Sequence, residues 1–153
     1  MNQDLKTSNE LVVIYAEKIR TLRTRSCMLE IPERENDVRI HHTLLGIELQ
    51  IGRRRFSCPD LATARYMRVF ARLGCREFAI PYDITKISTL ADELETAWQR
   101  SVLMLENGSA DLTEQQRKRQ RGRLLKSVRS DLAEIGPGER MPEFNQSTKQ
   151  RKT

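Results

Sequence analysis

The sequence predicts an α+β domain in which about four helices pack against a small sheet of short, mainly antiparallel strands. Three observations support this fold class. Apolar residues recur every three to four positions in several segments, which is the period of a helix. Between residues 38 and 57 they alternate with polar residues instead, which is the period of a strand. These segments follow one another as helix, several strands, helix, strand, helix and helix, without an internal repeat.

We expect three regions along the chain. Residues 8–108 form the α+β core domain, residues 109–136 form a basic C-terminal helix, and residues 137–153 form a disordered tail. The first seven residues and the tail lack the apolar periodicity that packing requires, so we predict that both ends are mobile. A chain of 153 residues is long enough to bury a core of its own.

Capping residues mark the first two helices. A hydroxyl at Thr7 and a carboxylate at Glu10 form a capping box, and the helix that follows runs to about Arg23. The second helix begins near Pro59, which suits a first turn because its missing N–H would have no partner there. This helix ends at Gly74, the residue type that most often follows a last turn.

Two further helices follow in the second half of the chain. Ser88 or Thr89 caps a long helix that ends at residues 107–108. A last helix lies between Thr113 and Ile135, and no apolar side chain occurs in it before residue 124. We therefore expect residues 113–123 to be poorly packed. The apolar seam of this helix comprises Leu124, Val128, Leu132 and Ile135.

Strand patterns fill the segments between the helices. A short strand is predicted at residues 28–31 and another at residues 38–43. The clearest strand follows, and its buried face comprises Leu45, Ile47, Leu49 and Ile51. A turn at residues 52–54 leads into a strand at residues 55–57. The last strand covers residues 78–82, and Pro81 within it indicates the edge of a sheet.

Composition favours a cytoplasmic protein. No apolar run approaches the roughly 20 residues that cross a bilayer, and no signal-like segment opens the chain, so we expect no membrane partner. Cys27, Cys58 and Cys75 are odd in number and widely spaced, which indicates reduced thiols instead of a disulfide framework.

Basic charge is concentrated in the last third of the chain. The whole chain carries a formal net charge of +6, and residues 107–153 alone carry 11 basic and 6 acidic side chains, or +5. Arginine supplies 20 of the 27 basic residues. A planar guanidinium binds phosphate and carboxylate groups through two parallel hydrogen bonds, so this composition indicates an anionic partner.

The densest basic cluster comprises Arg117, Lys118, Arg119, Arg121 and Arg123. Five cations within seven residues repel one another unless a polyanion neutralises them, and binding to nucleic-acid phosphates also releases counterions. Residues 117–123 contain no acidic side chain of their own, whereas solvated helices usually alternate acidic and basic side chains at i,i+4. The alternative interpretation is a solvated helix face.

A second basic group lies on the helix that begins near Pro59. Arg65, Arg68 and Arg72 are spaced three and four residues apart and therefore line one side of it, while Arg53, Arg54 and Arg55 precede it on the turn. This row could lie along a nucleic-acid backbone. The alternative is that these arginines form ion pairs with the next helix, through Asp92, Glu93 and Glu95.

Metal and enzyme motifs are lacking in the sequence. The cysteines have no close pair, and His41 and His42 point to opposite faces of an alternating strand. No nucleophile elbow, phosphate loop or dinucleotide fingerprint occurs. A cysteine nucleophile assisted by one of the histidines is an alternative that sequence spacing does not test. The single tryptophan, Trp98, is expected in the core, with a binding platform as the alternative.

We therefore expect a non-enzymatic nucleic-acid-binding protein, a regulator or accessory factor, that contacts phosphates of DNA or RNA through arginine. The main alternative is an adaptor whose basic C-terminal region docks on an acidic protein partner. An enzyme of unrecognised type is the third. We expect no cofactor, no catalytic residue and no metal ligand. The expected contact residues are Arg53, Arg54, Arg55, Arg65, Arg68, Arg72, Arg117, Lys118, Arg119, Arg121 and Arg123.

Overall fold

A computed structural model describes residues 9–137, and these contain four helices and two antiparallel sheets, which confirms the α+β class. The tails predicted to be mobile lie outside the described residues, except for Pro137. In chain order the elements are α1 (Glu10–Thr21), β1 (Thr24–Met28), β2 (Val38–Thr43), β3 (Gly46–Ile51), β4 (Arg54–Cys58), α2 (Leu61–Leu73), β5 (Glu77–Pro81), α3 (Ile84–Gly108) and α4 (Glu114–Ile135).

Helix α1 is capped by Asn9, so the predicted capping box from Thr7 was wrong. The Asn9 side-chain oxygen accepts a hydrogen bond from the N–H of Leu11 at 2.9 Å. Its amide nitrogen donates to the Ser101 hydroxyl of α3, also at 2.9 Å. Asn9 therefore caps the helix and also attaches it to α3. The helix ends at Thr21, before the predicted Arg23.

Strand β1 lies before the predicted strand at residues 28–31. It pairs with β5 from Thr24 opposite Pro81 to Met28 opposite Glu77, and this pairing uses all five residues of β5. The strand predicted at residues 28–31 was therefore wrong: it shares Met28 with β1, whereas Leu29 and Ile31 follow the strand and are buried in the hydrophobic core. The strand predicted at residues 78–82 is confirmed as β5, shifted by one residue.

The second sheet has the order β2-β3-β4. Leu49 lies opposite Ile40 on one side and Phe56 on the other, and it is fully buried against α2. Ile51 is buried on the same face, as predicted. Leu45 was predicted there too, but it is 95% exposed, because it lies in the turn before β3 where strand alternation has not begun.

Helix α2 begins and ends close to the predicted residues. The Asp60 side chain accepts a hydrogen bond from the N–H of Thr63 at 2.7 Å, and Gly74 follows the last turn with a φ of +81°. A Cβ atom on Gly74 would collide with the backbone carbonyl oxygen of Arg34. Two features therefore require glycine at this position. Its backbone is left-handed, and the loop that crosses the end of the helix leaves no room for a side chain.

Helix α3 begins at Ile84, so the caps predicted at Ser88 or Thr89 were wrong. The Asp83 carboxylate accepts hydrogen bonds from the Thr85 N–H at 3.0 Å and from the Thr85 hydroxyl at 2.8 Å. The helix begins at this earlier cap because the Asp83 carboxylate satisfies two donors of the first turn. The predicted end at residues 107–108 is confirmed.

Helix α4 covers Glu114–Ile135 with Thr113 as its N-cap, which confirms the predicted helix. Its fully packed residues are Leu125, Val128 and Leu132, whereas Leu124 and Ile135 of the predicted seam are only half-buried. The actual seam is thus rotated towards Leu125. These side chains join the same hydrophobic core as α1, α2, α3 and both sheets.

Aromatic side chains occupy the centre of this core. The rings of Phe70 and Phe78 stack with their centroids 4.3 Å apart, and Tyr66 and Tyr15 pack against Phe70. The Tyr15 hydroxyl accepts from the Ala79 N–H at 2.8 Å and donates to the Gly136 carbonyl at 2.7 Å. Burial raises the pKa of Tyr15 to about 12, so this hydroxyl remains a donor that joins α1 to the end of α4.

Candidate functional site

Helix α4 divides the basic run at residues 117–123 between two sides. Arg117 and Arg121 are spaced by four residues from each other and by seven or eight from buried positions such as Val128 and Leu125. Residues at these spacings lie on one face, so the two arginines continue the packed side of the helix. The rest of the run lies on other sides.

Both arginines of the packed side have partners. The Arg117 guanidinium donates to the carbonyl oxygens of Ser109 and Ala110, each at 3.2 Å. Arg121 binds both carboxylate oxygens of Glu35, with N–O distances of 2.6, 2.9 and 3.0 Å. Residues 113–119 are all exposed, as expected for a segment without an apolar face, but polar contacts of Arg117 and Arg121 attach this side of the helix to the protein.

The outer row of α4 is defined here as Arg119, Arg123 and Lys126, which follow one another at i, i+4 and i+7. All three are exposed, as is the flanking Lys118. None of the four takes part in the ion pairs found among residues 9–137. Lys126 lies beyond the basic run and was missed in the sequence, although its helical spacing from Arg119 places it on the same stripe.

Two of the three arginines in the stripe predicted on α2 form ion pairs within the protein. Arg65 forms ion pairs with Asp92 and with Glu95, the latter at 2.8 Å, and Arg68 pairs with Glu95 at 2.7 Å. This is the alternative that the sequence left open, with two of the three proposed acidic partners. The ion pairs join α2 to α3 at a position where both arginines are about three-quarters buried.

The two arginines favour the charged form of Glu95. Burial alone would raise the pKa of this carboxyl group, but hydrogen bonds from Arg65 and Arg68 outweigh that effect and lower it. The carboxylate is thus the stable form. One donor remains unused, since the Nε atom of Arg68 is buried without a partner among the described residues.

The three arginines at the β3–β4 turn differ in their partners. Arg54 donates to the Glu30 carbonyl oxygen at 2.8 Å and reaches its carboxylate at 3.2 Å. Arg55 pairs with Glu48 across the sheet at 2.9 Å. Arg53 is exposed and forms no ion pair within the part of the chain that the structure describes. These exposed pairs cost little to open.

Arg72, the third arginine of the stripe, faces a cleft of about 750 Å³ between α2, α3, α4 and the loop before β2. It is half-buried. Burial and the charge of Arg68 lower its pKa, and no hydrogen bond within residues 9–137 opposes this. The cleft is lined by Glu35, Asn36, Asp37, Arg72, Trp98, Gln99, Val102, Leu103 and Arg121.

The loop that forms one wall of the cleft is held by Asn36. Its side-chain nitrogen lies within 3.1 Å of the carbonyl oxygens of Pro32, Arg34 and Ala71. Its backbone N–H donates to the Arg72 carbonyl at 3.1 Å. The loop is therefore attached to the C-terminal turn of α2, close to where Arg72 projects. No sequence pattern indicated that this loop and α3 would meet around Arg72.

The cysteines and histidines do not form a common site. Cys58 and Cys75 are buried, and burial raises their pKa values to about 11 and about 12 respectively, which disfavours the reactive thiolate. His41 contacts Gln50 across the β2–β3 pair, whereas His42 is exposed on the other face. Within residues 9–137, no three His, Cys, Asp or Glu side chains are grouped as metal ligands.

Comparison with protein-family models, with curated proteins and with solved structures finds no match for this chain. None of the helices in residues 9–137 is both long enough and apolar enough to span a membrane.

Proposed function

We propose that this protein is a non-enzymatic nucleic-acid-binding protein that contacts phosphates through the outer row of α4 and the flanking Lys118. The observation that carries the proposal is the exposure of these four cations without carboxylate partners among the described residues. Their neighbours Arg117 and Arg121 attach the helix to the protein, so the outer row is presented on a fixed support.

The spacing of the outer row suits a phosphate backbone. Arg119 and Lys126 are separated by about 10 Å along the helix axis, at 1.5 Å per residue. One strand of B-form DNA carries about three phosphates over that length. Contacts of this kind are independent of sequence, so we expect a non-specific, salt-sensitive component of binding to DNA and RNA alike.

Two of the arginines expected to contact phosphate have another role in this proposal. Arg65 and Arg68 stabilise the α2–α3 interface through Glu95, and releasing them for phosphate would leave a largely buried carboxylate unpaired. Arg53 stays an accessible contact, and Arg54 and Arg55 become accessible when their exposed ion pairs open. A cytoplasmic location, where the cysteines stay reduced, belongs to the same proposal.

The test compares two triple variants of identical composition. The first replaces Arg119, Arg123 and Lys126 by glutamine, and the control replaces the exposed Arg20, Arg25 and Lys86 by glutamine. Anisotropy titrations with duplex DNA and with RNA at several salt concentrations measure affinity and its salt slope. On duplex DNA, the outer-row variant should lose about 0.9 from the slope for each lost phosphate contact. Equal losses in both variants, or no binding by the unaltered protein at low salt, would contradict the proposal.

An adaptor that docks on an acidic protein is the second candidate, and exposed apolar residues favour it. Leu103 and Met104 on α3 are 57% and 73% exposed, and Leu103 borders the cleft beside Arg121. A nucleic-acid backbone does not need such side chains, whereas a protein partner does. Replacing Met104, which does not line the cleft, by serine should weaken capture of an acidic protein and leave DNA and RNA binding unchanged if the two functions are separate.

A further inference from the structure

We propose that the cleft between α2, α3 and α4 binds a nucleotide, with the phosphate on Arg72 and the base against the wall formed by Trp98, Val102 and Leu103. The proposal rests on the nucleic-acid-binding function proposed above. The nucleotide has two possible sources, an unpaired position of a bound strand or a free nucleoside monophosphate, and both present the same phosphate and planar base.

Charge in the cleft points to an anion at Arg72. Of the charged groups in the lining, Arg121 is neutralised by Glu35 and Asp37 lies 3.6 Å from Arg39. Arg72 is the guanidinium of the lining that has no hydrogen-bond partner among residues 9–137, and the charges of Glu95 and Asp37 offset its burial only in part. A half-buried cation without a partner is unfavourable, and a phosphate with two oxygens in the guanidinium plane removes that cost.

The opposite wall offers an apolar surface of suitable size. Trp98 is 8% exposed, so it presents only an edge, while the half-buried Val102 and the exposed Leu103 extend this surface outwards. The cleft volume of about 750 Å³ lies within the range of small-molecule sites, roughly 300–1,000 Å³. The exposed Gln99 also lines the cleft, and its amide can donate to and accept from the polar edge of a base.

The site is preorganised, and Arg121 on the packed side of α4 forms part of its edge. Asn36 and Gly74 hold the loop against the end of α2, so binding requires little ordering of that wall. On the other side of Arg121 a second cleft of about 510 Å³ is lined in part by Lys118. The two clefts share Arg121, so a strand bound at Lys118 can reach past Arg121 and insert an unpaired nucleotide at Arg72.

The test uses Trp98, the only tryptophan of the chain, as a reporter inside the site. Nucleoside monophosphates at millimolar concentration should change its fluorescence in a saturable manner, whereas the corresponding nucleosides should bind more weakly. Arg72→Gln should weaken monophosphate binding by about tenfold or more, because a charge-assisted, bidentate contact is lost. Arg72→Lys should restore binding only in part, since an ammonium keeps the charge but not the fork.

Controls separate this proposal from the function on which it rests. The outer-row variant of α4 should bind monophosphates as the unaltered protein does, even though it binds polymers weakly. Arg25→Gln, an exposed arginine elsewhere, should change nothing. Leu103→Ser tests the opposite wall independently of Arg72, and circular dichroism verifies that each variant is folded. No saturable change with any monophosphate, or an equal change in the Arg72→Gln variant, would overturn the nucleotide site.

The source of the nucleotide is decided with oligonucleotides. If an unpaired position of a strand enters the cleft, Arg72→Gln should reduce binding to a single strand more than to a blunt duplex of the same length. If the source is the free monophosphate, both oligonucleotides should bind the variant as well as they bind the unaltered protein. Either result is compatible with the site once monophosphate binding has been shown to depend on Arg72.

Discussion

Arg121 and Glu35 join the N-terminal half of α4 to the loop before β2, through N–O distances of 2.6, 2.9 and 3.0 Å. The two residues are 86 positions apart in the chain and together form one side of the Arg72 cleft. The pair neutralises one cation of the basic run and orients α4. Its neighbours on the outer row are thereby held in a fixed position relative to the core.

We predict that Arg121→Gln destabilises the protein by about 1 kcal/mol, because a bidentate but partly exposed ion pair contributes little more than that. Hydrogen exchange at residues 113–123 should accelerate, since the N-terminal half of α4 loses a long-range contact. A double-mutant cycle with Glu35→Gln isolates the pair. A coupling energy of zero would mean that the contact does not hold the helix.

Gly74→Ala should destabilise the protein by more than 2 kcal/mol, the range expected of a strained backbone combined with a steric clash. A side chain there would adopt a left-handed φ of +81° and collide with the Arg34 backbone. The variant should also lose nucleotide binding in the Arg72 cleft, because displacement of Arg34 moves the loop held by Asn36. Chemical denaturation and Trp98 fluorescence measure the two effects.

The same exchange at Gly122 should have the opposite sign. Gly122 lies inside α4, is exposed, and would place a Cβ atom with no neighbour within 4 Å. Gly122→Ala should therefore stabilise the protein by about 0.5–1 kcal/mol, since alanine loses less conformational freedom in a helix. A melting temperature below that of the unaltered protein would show that this part of α4 is not helical in solution.

The fold class could be predicted because apolar periodicity reports burial, and burial decides packing. Periodicity correctly predicted that Leu49 and Ile51 are buried, and the residue type at Gly74 correctly predicted the end of α2. Element ends were less predictable where two capping residues compete, as Asp83 did with Ser88. Strand β1 could not be placed from its own residues, because its pairing depends on β5, whose paired residues are 49 to 57 positions away.

The candidate site, like the fold, could be predicted from the sequence only in part. Helical spacing correctly grouped Arg65, Arg68 and Arg72, but it contains no information on which arginines meet a carboxylate. Glu95 pairs with two of them and leaves Arg72 to the cleft. That distinction depends on how α2 packs against α3. The cleft itself is formed by three helices and a loop that are distant in the chain.

Leu49→Ala should destabilise the protein by roughly 2–5 kcal/mol, the range for a fully buried leucine. The matched substitution Leu45→Ala should cost little, because Leu45 is 95% exposed in the β2–β3 turn and has no packed surface to lose. Urea denaturation compares the two. Equal losses would mean that the turn is packed in solution, as strand alternation alone had indicated.

The Glu95 carboxylate should make the stability of the protein dependent on acid. Hydrogen bonds from Arg65 and Arg68 lower its pKa below the usual 4.5 in spite of burial, so the folded state binds this proton less readily than the unfolded state. The resulting stabilisation is present above about pH 4.5 and is lost as the pH falls through the lowered pKa. Glu95→Gln should therefore destabilise the protein at pH 7 by about 1–3 kcal/mol, because two largely buried guanidinium groups lose their charged partner.

Glu93→Gln is the matched control, because Glu93 is half-buried on the same helix and forms no ion pair among the described residues. Denaturation curves recorded between about pH 3 and pH 7 should show the Glu95→Gln variant approaching the unaltered protein as acid protonates the native carboxylate. The control should run parallel to the unaltered protein throughout. A constant difference for Glu95→Gln across this range would show that the residue stabilises the α2–α3 interface by packing and not by its charge.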